Sequence, residues 1–156
     1  MMVCSVAMYY ENMSFLEVSD LRKSFVSPDG GQGLVVDVEN FSLNEGGFCG
    51  MRGESGSGKT TFLHLLAGIL RPDEGSVILD GTEVSKLNES ARDHLRASAI
   101  GYVFQSFNLL QGFTCLENLM LAMSFAGKVN ETRAKELLDR VGLSHRLSYY
   151  PHQLSI

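Results

Sequence analysis

Positive charge, paired cysteines and long apolar runs are all scarce in this sequence, and each scarcity removes a class of function. Lysine and arginine number 13 against 18 aspartates and glutamates, for a net charge of −5. So acidic a chain lacks the broad basic face that grips nucleic acid. A local anion site stays open, because a helix N-terminus and a single lysine hold anions without global basicity. Cysteine occurs three times, at Cys4, Cys49 and Cys115, with no C-x-x-C spacing. That argues against a disulfide framework and a zinc site and fits a reducing compartment, each thiol reading as a small buried hydrophobe. His64, His94 and His145 have no partners at metal-ligand spacing. The run "FLHLLAGIL" is about half of what a membrane span needs. The opening "MMVCSVAMYYENM" has an apolar patch but no basic segment, so it does not read as a signal peptide. What remains is a cytoplasmic globular chain, whose 156 residues suffice for one domain with a core and not for two ordinary ones.

A strand-rich half precedes a helical half. "SFLEVSDLRKSF" alternates weakly and predicts a strand, "VSPDGGQG" a turn-rich loop, and "LVVDVENFSLNEGG" a further strand or two. "FCGMRG" reads as a strand entering a glycine-rich segment, and "TFLHLLAGIL" as a helix running to Arg71-Pro72. "PDEG" is a turn, "SVILDG" a short strand ending in a turn, "NESARDHLRASA" a helix and "IGYVFQ" a buried strand. Thr114 and Glu117 stand in capping-box spacing at the start of a helix ending at Gly127. A last helix has Asn130 as its cap and ends at Gly142.

The chemistry is concentrated in Gly53-Glu54-Ser55-Gly56-Ser57-Gly58-Lys59-Thr60, which fits G-x-x-x-x-G-K-[ST] and continues into Thr61. Gly53, Gly56 and Gly58 permit backbone torsions closed to other residues, so successive amides can line one concavity. At the N-terminus of the following helix that concavity would wrap phosphate oxygens, Lys59 would reach the β- and γ-phosphates, and the Thr60 hydroxyl would ligate Mg²⁺. No N-K-x-D guanine motif accompanies it.

Four segments, "GESGSGKTTFLHLLAGILRPDEGSVILDG", "IGYVFQSFNLL", "FTCLENLMLA" and "YPHQLS", occur in an order that resembles the ATP-binding subunits of ABC transporters over nearly the whole chain. The "FNLL…FT-LEN" wording is most similar to the lipoprotein-release and macrolide-export type; polar amino-acid importers read much alike. The resemblance implies an α/β phosphate-loop NTPase core of ABC type, with a sheet-rich N-terminal subdomain, a partial helical subdomain and the C-terminal part missing. Residues 1–105 would be the nucleotide core and 106–156 the partial helical subdomain. ATP and Mg²⁺ are the implied cofactors. A transmembrane permease and a second ATP-binding subunit are the implied partners, on the cytoplasmic face of the membrane. Gln105 falls at the family's Q-loop glutamine, which contacts Mg²⁺ and the attacking water, an amide suiting both tasks. Phe25 matches the aromatic that stacks on adenine, where tyrosine is commoner; a core phenylalanine is the other reading.

Asp80 ends an apolar strand but is followed by Gly81, not by a catalytic glutamate, so it is expected to be structural. His152 belongs to the "PHQLS" lead-in and is expected to be exposed or capping. In the family that lead-in continues as "LSGGQ", whereas this sequence ends at Leu154-Ser155-Ile156, before the Walker B aspartate, catalytic glutamate and switch histidine. Two consequences are expected. ATP is bound weakly with negligible turnover, which keeps open a non-hydrolysing nucleotide-binding role. "FCGMRG" and "IGYVFQ" lose sheet neighbours and expose apolar edges.

Overall fold

The computed structural model describes residues 14–154. The chain forms two compact units that divide between Arg92 and Asp93. The readings made on Cys4, the N-terminal apolar patch, Ser155 and Ile156 lie outside the described residues.

The first unit is built on one antiparallel sheet of β1 (Ser14–Val26), β2 (Gln32–Asn44), β3 (Glu74–Leu79) and β4 (Thr82–Glu83), in the order β2-β1-β3-β4. Leu16 and Val18 face the core on alternate positions of β1, as a strand with one buried face requires. The pairing with β3 then steps from Ser19↔Ser76 to Arg22↔Glu74, so two β1 residues oppose one on β3. Asp20 takes up the extra length at φ 48°, and the phase shift turns Leu21 inward, where it is 0% exposed. "LVVDVENFSLN" forms one continuous strand rather than two. Ser27 N–H closes the β1–β2 loop on Gly31 O at 2.8 Å. Asp80 (φ 46°) and Gly81 (φ 71°) form the two-residue turn from β3 to β4, the left-handed pair that fits the twist of a hairpin.

Helix α1 (Lys59–Leu66) buries Phe62 and Leu65 in the same core, and Phe62 meets Phe41 of β2 edge-to-face at 5.8 Å. It stops at Leu66, well short of the expected Arg71-Pro72. Gly68 adopts φ +64°, and the amides of Ile69 and Leu70 both return to His64 O, at 2.8 and 3.1 Å. A left-handed glycine ends the helix before the proline can. Arg92, in the first turns of α2 (Glu89–Ala99), is buried; it donates Nη1 to Gly68 O at 3.2 Å and pairs with Glu89. Asn88 Oδ1 caps α2 by accepting Ala91 N–H at 2.9 Å.

The second unit contains α3 (Cys115–Phe125) and α4 (Glu131–Arg140), whose contact buries Ala134 and Leu138. Thr114 and Glu117 form the expected capping box, and Asn130 Oδ1 caps α4 through Arg133 N–H at 2.9 Å. Gly142 closes α4, its amide on Asp139 O at 2.8 Å while Leu143 N–H reaches Leu138 O at 2.7 Å. Cys115 and Leu116 donate their amides to Tyr149 O and Leu147 O, at 2.8 and 3.1 Å. The α3 N-terminus is thereby satisfied by the segment that leads into "YYPHQL". Asn118 carries the loop before α3: its Nδ2 donates to Leu110 O, Phe113 O and Thr114 O at 3.0–3.1 Å, and its Oδ1 accepts Leu110 N–H at 2.9 Å.

Two expected strands are absent. "FCGMRG" and "IGYVFQ" have no regular structure, and Phe48 and Val103 are each 95% exposed. A strand exists only through a ladder, and a near-continuous apolar one needs neighbours and cover on both faces. Neither segment enters the single sheet found among the described residues. Apolar side chains of both segments are exposed, but with no strand formed there is no sheet edge of the kind expected.

Two measurements follow from this packing. Leu21→Ala is expected to cost roughly 2–5 kcal/mol in a denaturant titration, since its site is closed on all sides, and Leu63→Ala, 45% exposed, under about 1 kcal/mol. Equal losses would contradict the core described here. The second is pH dependence. The Asp73 carboxyl is held below the ordinary carboxylate range, first by the Lys23 ammonium and then by Ser24 N–H. A depressed folded value means its contribution is complete above the unfolded value, about 3.9, and is lost as pH falls through the folded one. Asp73→Asn should therefore flatten the acid limb of the stability profile below about pH 4. An unchanged limb would show that Asp73 is not titrating against Lys23.

Candidate nucleotide-phosphate site

The site begins at an irregularity in β2. Pairing with β1 steps from Lys23↔Val36 to Ser24↔Leu34, which leaves Val35 as an extra residue. The Val35 carbonyl oxygen lies 2.4 Å from where a Cβ on Gly58 would stand, and Gly58 has φ +87°. Gly58 is excluded from carrying a side chain by backbone torsion and by a backbone neighbour that cannot swing aside. Gly56 also needs its torsion, at φ +80°, although nothing crowds it. Gly53 departs from expectation: it is not among the left-handed glycines, and the one close approach to a Cβ there would be Ser57 Oγ, at 2.7 Å. Its constraint is space beside a hydroxyl that can rotate, not torsion.

Between these glycines, Glu54 and Ser55 are exposed and Ser57 is half-buried. Ser57 N–H turns back to Glu54 O at 3.3 Å, and Phe62 N–H to Gly58 O at 2.8 Å begins α1. The helix starts with no side-chain cap and no acidic residue in its first turn. Its leading amides, at Lys59, Thr60 and Thr61, therefore carry the partial positive charge of the helix end without a competing carboxylate. Lys59 Nζ lies across the loop, donating to Gly53 O at 2.8 Å, Glu54 O at 2.5 Å and Ser57 Oγ at 3.2 Å. Thr60 is exposed at the second helical position and Thr61 half-buried at the third. Backbone amides, a helix end and an ammonium beside them are what a polyphosphate anion requires.

Phe25 belongs to the same end of the β1–β2 hairpin. It pairs with Gly33, two residues along β2 from Val35, a spacing of about 7 Å at an ordinary strand rise. It is 42% exposed, which removes the core reading. Lys23 Nζ sits 5.7 Å from its ring centroid. The first unit thus brings together Phe25, the loop from Gly53 to Gly58, Lys59, Thr60 and Thr61. Gln105 belongs to the second unit, exposed in the irregular segment after α2. Among the described residues there is no group of three or more His, Cys, Asp or Glu that could hold a metal ion. Asp80 is a turn residue, and exposed His152 stacks on Tyr150 at 5.9 Å.

Sequence reading missed Val35, Lys23 and Asp73. Asp73 N–H donates to Arg22 O at 2.9 Å, its Oδ2 accepts Ser24 N–H at 2.7 Å, and its Oδ1 accepts Lys23 Nζ at 2.6 Å. None of the three carries a signal in periodicity, because each acts through pairing register and the backbone.

Comparison with known proteins agrees with this geometry. Residues 36–156 match the family model described as ABC transporter. An uncharacterized ABC transporter ATP-binding protein of Thermotoga maritima is 46% identical over 119 residues, covering 74% of this chain and 51% of that protein. The lipoprotein-releasing system ATP-binding protein LolD of Cytophaga hutchinsonii is 39% identical over 144 residues, covering 90% and 63%. Among solved structures, the dimeric ATP-binding cassette MJ0796 in a post-hydrolysis state bound to ADP and Pi superposes with a TM-score of 0.82 at 30% identity, over 90% of this chain and 63% of that one. The chain therefore spans about half to two thirds of the length of the relatives it matches. With the family model matching residues 36–156, this chain belongs to the ABC transporter family, in its ATP-binding component.

Proposed function

We propose that this chain is the N-terminal part of an ATP-binding subunit that couples MgATP binding and hydrolysis to transport through a transmembrane permease. The observation that carries the reading is the loop itself, with Gly58 pressed on Val35 O and Lys59 bonded across Gly53, Glu54 and Ser57. In this reading the amides from Gly56 to Thr61 take the phosphate oxygens. Lys59 exchanges its carbonyl partners for the β- and γ-phosphates, trading neutral acceptors for charged ones. Phe25 offers its exposed ring to adenine. Thr60 would offer its hydroxyl to Mg²⁺, a hard cation suited to oxygen donors, and by the family resemblance Gln105 would offer a carboxamide oxygen. Bound there, Mg²⁺ would neutralise charge on the phosphate oxygens. Gln105 also orients water for attack on the terminal phosphate.

Two such subunits would pair around two nucleotides on the cytoplasmic face of the membrane, held there by the permease. The dimeric state of the MJ0796 cassette supports the pairing. Among the described residues no helix is long and apolar enough to cross a membrane. The LolD relative supports assignment to the lipoprotein-release type.

Isothermal titration with ATP and with inorganic tripolyphosphate tests the site. Lys59→Ala removes charge-assisted bonds to phosphate, so both ligands should weaken roughly tenfold to a hundredfold. Gly58→Ala should abolish both. Phe25→Ala should weaken ATP roughly tenfold and leave tripolyphosphate within a factor of about two, the difference being the stacked base. ATP affinity insensitive to Lys59→Ala would overturn the site, and equal losses of both ligands in Phe25→Ala would overturn the stacking role.

A further inference from the structure

Phe25 does not stand alone at the end of β1. Leu21, Lys23 and Phe25 occupy alternate positions of one strand face, so the Lys23 side chain lies beside the Phe25 ring. Its ammonium is 5.7 Å from the ring centroid and 2.6 Å from Asp73 Oδ1. Lys23 is unusually enclosed for a lysine, its side chain 17% exposed, whereas lysine ammonium groups ordinarily stay in water. Asp73 also binds the backbone on either side of Lys23, through Arg22 O and Ser24 N–H. β3 pairs with β1 only as far as Arg22↔Glu74, so the Asp73 amide and carboxylate continue the ladder past the end of β3. This continuation runs along the residues opposite the Val35 bulge, immediately before Phe25.

We infer that Lys23 and Asp73 are positioning residues for nucleotide-base recognition: Asp73 fixes the β1 end and clamps the Lys23 ammonium beside the Phe25 ring, which presents the ring to a purine base. The inference rests on the stacking role given to Phe25 above. A cation within about 6 Å of an aromatic centroid is attracted to the ring face. The bound ammonium occupies that side of the ring and leaves the other to the base. Phenylalanine has no hydroxyl to anchor it, so the orientation a tyrosine could secure by hydrogen bonding is supplied here by a neighbouring charge. Asp73 sits in the segment that follows α1, so the base support and the phosphate loop are joined through the helix that begins at Lys59.

The test is a double-mutant cycle on the full 156-residue chain, read by titration with ATP and with inorganic tripolyphosphate. Lys23→Met keeps the aliphatic stem and removes the charge; it should weaken ATP about threefold to tenfold and leave tripolyphosphate within about twofold. Lys23→Arg, which keeps a cation beside the ring, should restore ATP affinity. Asp73→Ala should behave as Lys23→Met does. In a Phe25→Ala background neither substitution should cost anything further for ATP. Should Asp73→Ala fail to fold, the Lys23 variants with tripolyphosphate as the fold control decide alone. If Phe25→Ala selectively weakens ATP but Lys23→Met adds its full loss in the Phe25→Ala background, the positioning role is overturned and stacking stands. If Phe25→Ala weakens ATP and tripolyphosphate alike, the stacking role fails first and this inference falls with it. Equal loss of both ligands in Lys23→Met would assign Lys23 to phosphate attraction, which also overturns the inference.

Discussion

The Val35 carbonyl against Gly58 is the contact on which the phosphate loop depends. It falls at the extra residue of β2, where the edge strand abuts the loop at the point at which the loop becomes helix. Backbone against backbone leaves no room for adjustment, so the loop path is set by strand register rather than by side-chain packing. Register is in turn held from both edges of β1. Core residues Leu21 and Val36 lock one face, and Asp73 takes the amide that β3 no longer reaches. The surface pairs of Arg22 with Asp37 and Glu74 cross the same three strands, but at half-exposed positions they contribute little beside the core.

Helix α1 is tied at both ends by backbone geometry. Gly58 starts it against Val35, and Gly68 ends it beneath the buried Arg92 guanidinium. A cation at a helix C-terminus complements the dipole that makes the N-terminus attractive to phosphate. Short as it is, the helix is marginal by propensity and depends on Phe62 and Leu65 for its place on the sheet.

What the sequence made legible was local chemistry. The phosphate motif, the Thr114–Glu117 capping box, the Asn130 cap and the Asp80-Gly81 turn each require particular residues at fixed offsets, and each is found at its expected position. The helix end at Leu66 was missed because Gly68 was outweighed by an apolar run continuing to Pro72. β1 looked weakly patterned because the Asp20 bulge moves the inward positions from even to odd, which no strict alternation can follow. "FCGMRG" and "IGYVFQ" carry the composition of buried strands, but composition does not supply a partner. Lys23, Val35 and Asp73 were invisible for the same reason, since their roles exist only once strands are in register.

The apolar side chains that stand in water have a calorimetric meaning. Phe48, Val103, Phe107 and Phe125 are hydrated before unfolding begins, so they add little to the new apolar surface released by it. The heat-capacity increment of this chain is accordingly smaller than its length implies. A small increment flattens the curve of free energy against temperature, so stability changes slowly on either side of its maximum. The same hydration lowers the sensitivity to urea, because the denaturant slope also follows newly exposed area. A shallow, broad unfolding profile is therefore a property of how this surface is arranged, not a sign that the core around Leu21 is loose.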